Sequence, residues 1–128
     1  MFGSRFLTVL VIMTMTTSSG CFEAIFDNIN DTRRDMAFIQ IKQISEALNL
    51  YKSSFQEYPS TSEGLQALVA SKDGRALFMT SVPKDPWGRD YVYRFPGIQK
   101  QGGFDLISYG PDGVQGNDDD IVYVPTDP

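Results

Sequence analysis

Residues 35–59 read DMAFIQIKQISEALNLYKSSFQEYP, and within them Ala37, Ile41, Ile44, Leu48, Tyr51 and Phe55 recur at alternating steps of four and three. A period of 3.6 residues gathers those side chains on one face of a helix. Lys42, Gln43, Glu46, Asn49 and Lys52 fall on the other face, so the helix is half solvated rather than embedded in lipid. Thr32 and Asp35 have the spacing of a capping box, which predicts a helix beginning there and running for about six turns. Pro59 excludes helical geometry at Tyr58 and ends it.

Downstream, Ser60 or Thr61 is placed to cap a short second helix carrying Leu65, Leu68 and Val69, closed by Lys72-Asp73-Gly74. Pro83-Lys84-Asp85-Pro86-Trp87-Gly88 reads as a turn, with Asp85 fixing it and Trp87 packing into the core. Tyr91–Phe95, Phe104–Tyr109 and Ile121–Val124 read as three strands, the first two separated by Pro96-Gly97 and Gly102-Gly103. A helix followed by antiparallel strands is an α+β pattern.

Upstream, Met1–Arg5 is a short basic start and Phe6–Met15 an apolar run broken only by Thr8 and Thr14. That run falls short of the roughly 20 apolar residues a membrane span needs and has the length of a signal-peptide core. Thr16, Thr17, Ser18, Ser19 and Gly20 then lead to Cys21, the single cysteine of the chain. This stretch resembles a bacterial lipobox, with Ser18 where an aliphatic residue usually stands. The resemblance implies that Cys21 is lipidated and becomes the mature N-terminus. Two other readings of the same residues are an ordinary secretory signal with a stray cysteine and a prepilin leader cut after Gly20. The preferred division is a signal peptide at residues 1–20, a polar, lipid-anchored tether at 21–31 and a folded domain at 32–128.

The chain has 128 residues, room for one domain with a modest core. Its formal net charge is -5, or -6 once residues 1–20, which hold Arg5 and no acid, are set aside. Such a balance argues against nucleic acid as a partner. With no histidine and one cysteine, Ser/His and Cys/His catalysis, zinc clusters and intrachain disulfides are excluded together. Carboxylate chemistry and metal binding through oxygen remain.

Four blocks of the chain together carry a specific resemblance. They are Tyr58-Pro59-Ser60-Thr61-Ser62-Glu63-Gly64-Leu65-Gln66-Ala67-Leu68-Val69; Val82-Pro83-Lys84-Asp85-Pro86-Trp87-Gly88-Arg89-Asp90-Tyr91-Val92-Tyr93; Asp105-Leu106-Ile107-Ser108-Tyr109-Gly110-Pro111-Asp112-Gly113; and Asp119-Asp120-Ile121. In order and spacing this part of the chain, about residues 36 to 124, resembles the head domain of the major (G) pseudopilins of type II secretion. The resemblance implies a long N-terminal helix packed on a small antiparallel sheet, and subunits that polymerise through apolar N-terminal helices. The chain departs from that family at its start, where the Gly-Phe-Thr-Leu-Ile-Glu-like prepilin sequence is missing.

Residues 105–128 hold Asp105, Asp112, Asp118, Asp119, Asp120 and Asp127, with no Lys or Arg after Lys100. Glycines and a proline let the loop fold back so that Asp112 approaches the later aspartates, which then repel one another unless a cation or ample water intervenes. Calcium suits such a loop because it takes six to eight oxygens in flexible geometry, carbonyls included. The pattern is not an EF-hand, and the competing reading is a solvated acidic turn. The family resemblance implies calcium ligands at Asp112, Asp119 and Asp120, with main-chain oxygens near Tyr109 and Val114 or Asn117; Asp118 is an extra acid able to exchange roles with Asp119.

The expected function is that of a non-enzymatic pseudopilin-like envelope protein. Its partners are other pseudopilins or secretion-platform proteins and, through the anchor, a membrane whose periplasmic side it faces, with no nucleic acid and no small-molecule substrate. The alternative is a stand-alone calcium-binding lipoprotein that reuses the pseudopilin head as a binding module. A carboxylate hydrolase is the weakest reading, since no motif supplies a nucleophile or an oriented acid and base.

Overall fold

In a computed structural model the backbone is described over residues 3–70, 77–99 and 101–124, with side chains from residue 20 onward. The chain divides into two units, residues 1–32 and 33–128. Helix α1 runs from Gly3 to Phe55. A short 3-10 helix, η1, spans Gly64–Leu68, and the strands are β1 (Val92–Arg94), β2 (Asp105–Ser108) and β3 (Ile121–Tyr123).

In the first unit, residues 21–31, expected as a polar tether, are helical, which corrects the expectation of a helix starting at Thr32. Thr32 does not cap: its Oγ1 donates to the Asn28 carbonyl at 3.0 Å, one turn back inside the helix. No proline interrupts residues 3–58, and Phe22, Ile25, Phe26 and Ile29 repeat at helical steps through the acids and amides that suggested a tether. All four are exposed, and the Phe22 and Phe26 rings lie 5.9 Å apart, one turn from each other. Cys21 is a free, exposed thiol. Among the described residues no helix is long and apolar enough to cross a membrane. The side chains of the apolar run at 6–15 and of the small residues 16–19 lie outside the described residues, as does the turn expected at Lys72-Asp73-Gly74.

In the second unit the expected helical stripe is the core. Ala37, Ile41, Ile44, Leu48 and Tyr51 are buried, Ala47 joins them, and Phe55 packs at the edge. Each fully buried aliphatic side chain of that face contributes about 1.5–3 kcal/mol relative to exposure. The stripe meets Leu65 and Leu68 of η1 and Tyr91, Tyr93, Phe104 and Leu106 of the sheet region. The turn before η1 is held by a reciprocal pair: Ser60 N donates to Glu63 Oε2 at 3.0 Å and Glu63 N to Ser60 Oγ at 3.3 Å. The expected second helix is thus present, shorter and 3-10 in form.

The sheet is antiparallel in the order β1-β2-β3, with Val92 opposite Ile107 and Leu106 opposite Tyr123. Every residue of the central strand β2 is buried. The Phe104 ring stacks on Tyr123 at 5.9 Å and meets Tyr58 edge-on at 5.0 Å, while Tyr93 Oη donates to the Pro59 carbonyl at 2.7 Å, joining the end of α1 to β1. Trp87 is only half-buried and is absent from this core, contrary to the expectation; the aromatic interior is built from Phe104, Tyr93 and Tyr91 instead.

Candidate functional site

The C-terminal loop from Tyr109 to Asp120 is positioned by the turn that precedes β1. Asp85, buried at 4% exposure, accepts the Trp87 and Arg89 amides on Oδ1 at 3.1 and 2.8 Å. Its own amide donates to the Arg89 carbonyl at 2.8 Å. Asp85 therefore fixes the Pro-Trp-Gly turn, as its position in the sequence suggests. Its second oxygen accepts the hydroxyl of Ser108 at 2.8 Å, at the end of β2, and Ser108 Oγ in turn accepts the Gly110 amide at 3.3 Å.

Arg89, aimed by that turn, donates from Nη1 to the Gly110 carbonyl at 2.8 Å and from Nη2 to the Pro111 carbonyl at 3.4 Å. Gly110 has φ +66°, and a Cβ there would overlap the Asp119 carbonyl. Glycine is required at this point, where the outgoing and returning arms of the loop touch.

The aspartates of the loop are held by bonds within it. Asp112 accepts the Val114 amide on Oδ1 at 3.0 Å and the Asn117 side-chain amide on Oδ2. Asn117 Oδ1 accepts the Asp119 amide at 3.1 Å, its carbonyl accepts the Asp120 amide at 3.2 Å, and Asp120 Oδ2 accepts the Gly116 amide at 2.7 Å. The fold therefore links Asp112, Asn117 and Asp120 through one hydrogen-bonded loop. Asp119 contributes its backbone, Asp118 is exposed with its carbonyl 3.4 Å from Arg34 Nη2, Val114 is exposed and Tyr109 half-buried.

Among the described residues no group of three or more His, Cys, Asp or Glu side chains is gathered as a metal cluster. The donors near the loop are nonetheless all oxygens, the chemistry a hard divalent cation takes. Asp120 Oδ1 is buried and has no hydrogen-bond partner, the kind of atom a cation would satisfy. Asp120 fits calcium in this sense, whereas both Asp112 oxygens accept hydrogen bonds, from Val114 and Asn117, and would have to exchange them for the ion.

Behind the turn, Tyr91 Oη donates to Gln40 Oε1 on α1. Burial, with a smaller contribution from nearby Asp85, pushes the Tyr91 hydroxyl well above the ordinary phenol range. Burial does the same for Tyr93, helped by Tyr58, Tyr51 and Glu63. Neither phenol is available as a base near neutrality.

Sequence reasoning gave Ser108 and Arg89 no role, although both stand in the stretches that carry the family resemblance. Contacts across 23 and 21 residues leave no periodic trace. The available signal was modest: a Ser ending an otherwise apolar strand before Gly, and a base closing an Asp-Pro-Trp-Gly turn.

The model of the family "Type II secretion system (T2SS), protein G" matches residues 24–124. The chain is 33% identical over 131 aligned residues to type II secretion system core protein G of Escherichia coli K12, covering 92% of this chain and 89% of that protein. It is 36% identical over 125 residues to the core protein G of Pseudomonas aeruginosa, covering 88% and 87%. Both alignments are longer than the family-model match and take in residues N-terminal to Ala24. The structure resembles the crystal structure of the major pseudopilin from the type 2 secretion system of enterohaemorrhagic Escherichia coli, with a TM-score of 0.65, 30% identity, and 75% of this chain and 86% of that one covered. The antiparallel α+β head is the expected pseudopilin fold, and this chain belongs to the type II secretion system protein G family.

Proposed function

We propose that the chain serves as a non-enzymatic, pseudopilin-type component of type II secretion in the bacterial cell envelope. In this reading it is held at a membrane by an acylated Cys21, faces the periplasm, and is stabilised by one structural calcium ion. The observation that carries the secretion role is the likeness to relatives named core protein G across about nine-tenths of both chains, joined to the match with a solved major pseudopilin. Their assembly with other secretion components is what this chain would share.

Calcium would be held by the Asp112, Asp119 and Asp120 carboxylates with main-chain oxygens of Tyr109, Val114 and Asn117. When bound it would supply positive charge that relieves carboxylate repulsion. Support comes from the buried, unpartnered Asp120 Oδ1 and the all-oxygen surroundings. The loop itself has little apolar surface to order it: its one aliphatic side chain, Val114, is 58% exposed.

Affinity capture of the tagged full chain from detergent-solubilised envelopes tests the secretion role. Recovery of other pseudopilins or secretion-platform proteins is expected. Capture of correctly folded protein with none of them, from cells that express the whole apparatus, would replace this reading with the stand-alone lipoprotein.

A further inference from the structure

We propose that Arg89 is the positioning residue of the acidic loop, a fixed internal cation that preforms residues 110–113 whether or not metal is bound. Metal then orders only the part from Val114 to Asp120. The metal clause rests on the calcium reading above; the role of Arg89 rests on the geometry alone.

Three contacts converge on the guanidinium. It donates to the carbonyls of both Gly110 and Pro111, using the planar fork that distinguishes arginine from lysine. The α-carbon of Gly113 lies flat against it, so that a Cβ at residue 113 would come within 2.5 Å of Arg89 Cζ. Arg89 is itself held, its amide bound by the buried Asp85 carboxylate and its carbonyl by the Asp85 amide. The side chain thus starts from a rigid turn and ends in the opening arm of the loop.

Residues 114–120 are tied by bonds among exposed or half-exposed groups of the same loop, Asn117 to Asp119 and Asp120, and Asp120 to Gly116. Bonds of that kind open readily in water. Asp119 and Asp120, adjacent in sequence, also lie there, and a cation that drew in both carboxylates would offset their repulsion. The first arm therefore carries its own cation, and the second needs one from outside.

Amide hydrogen exchange of the full chain in chelator and in saturating calcium reads both arms separately. For the wild type in chelator, the Gly110 amide, bound to buried Ser108, is expected to stay protected while residues 114–120 exchange fast, and calcium is expected to slow only the latter. Arg89→Ala should speed exchange at Gly110 roughly tenfold in chelator and weaken calcium binding by about 10- to 100-fold, as loss of a group supporting metal ligands does. Leu106 and Ile107 in β2 should keep wild-type protection.

Gly113→Ala supplies a cycle: backbone strain at φ +70° acts in both backgrounds, but displacement of the guanidinium acts only where Arg89 is present. The glycine substitution should be milder in Arg89→Ala than in the wild type. Equal exchange at Gly110 in wild type and Arg89→Ala, or strictly additive substitutions, overturns the proposal. Should Arg89→Ala fail to fold, Arg89→Lys keeps the charge and stem without the fork, and protection identical to wild type overturns it equally. If the wild type gives no calcium response, the calcium reading falls while the chelator measurements still decide the role of Arg89.

Discussion

The Ser108 hydroxyl donates a 2.8 Å hydrogen bond to Asp85 Oδ2, with both residues buried and 23 positions apart in sequence. This bond ties the turn before β1 to the end of the central strand and sets where the acidic loop begins. Asp85→Ala would strand three donors, the Trp87 and Arg89 amides and the Ser108 hydroxyl. A loss of about 3 kcal/mol is expected in urea unfolding. Ser108→Ala removes one donor and should cost about 1–2 kcal/mol. Midpoints for Asp85→Ala at or above those of Ser108→Ala would show that the carboxylate does not organise the turn.

The two buried phenols predict an alkaline limit to stability. Folding raises the Tyr91 and Tyr93 values above the ordinary 10.0, so the folded state favours the neutral hydroxyl. That contribution is complete below pH 10 and is lost as pH rises through and beyond it, because the unfolded chain ionises first. Thermal melts from about pH 9 to 11 should fall steeply, and Tyr91→Phe or Tyr93→Phe should each flatten the fall. Unchanged slopes in both variants would assign the alkaline loss to other groups.

The proposed acylation of Cys21 gives a fractionation outcome: with two or more acyl chains, each buried CH₂ contributing about 0.8 kcal/mol, the protein would stay with membranes. Cys21→Ser should move it to the soluble periplasmic fraction. A Cys21→Ser protein that remains in membranes at precursor mass instead points to residues 3–20, the first part of α1, as a retained anchor.

The periodic stripe from Ala37 to Phe55 was legible because burial on one helix face leaves a spacing in sequence, and the three strands were legible for the same reason, with no end trimmed by more than one residue. The start of α1 was not. Asp27, Asn28, Asn30 and Asp31 look like a polar tether, yet acids and amides sit on an exposed helix at little cost when no proline or cap competes. Asp85 as a turn-fixing residue followed from its place before Pro86. Trp87 was misplaced because aromatic content signals burial without saying where. The acidic loop was visible as composition, whereas the Arg89 grip on Gly110 and Pro111 depends on two distant segments meeting.

The most direct test of the calcium-stabilised loop is the melting temperature of metal-free residues 22–128 with and without calcium, measured beside Asp112→Ala and Asp120→Ala. At a hundredfold excess over Kd a ligand that binds only the folded chain adds about 2.7 kcal/mol, a shift of roughly 10 °C or more for a domain of this size. The expected result is a shift of that order in the wild type, absent in both variants, with protection regained at Ile121–Tyr123. Superimposable wild-type curves in calcium and in chelator would contradict it and leave a solvated acidic turn.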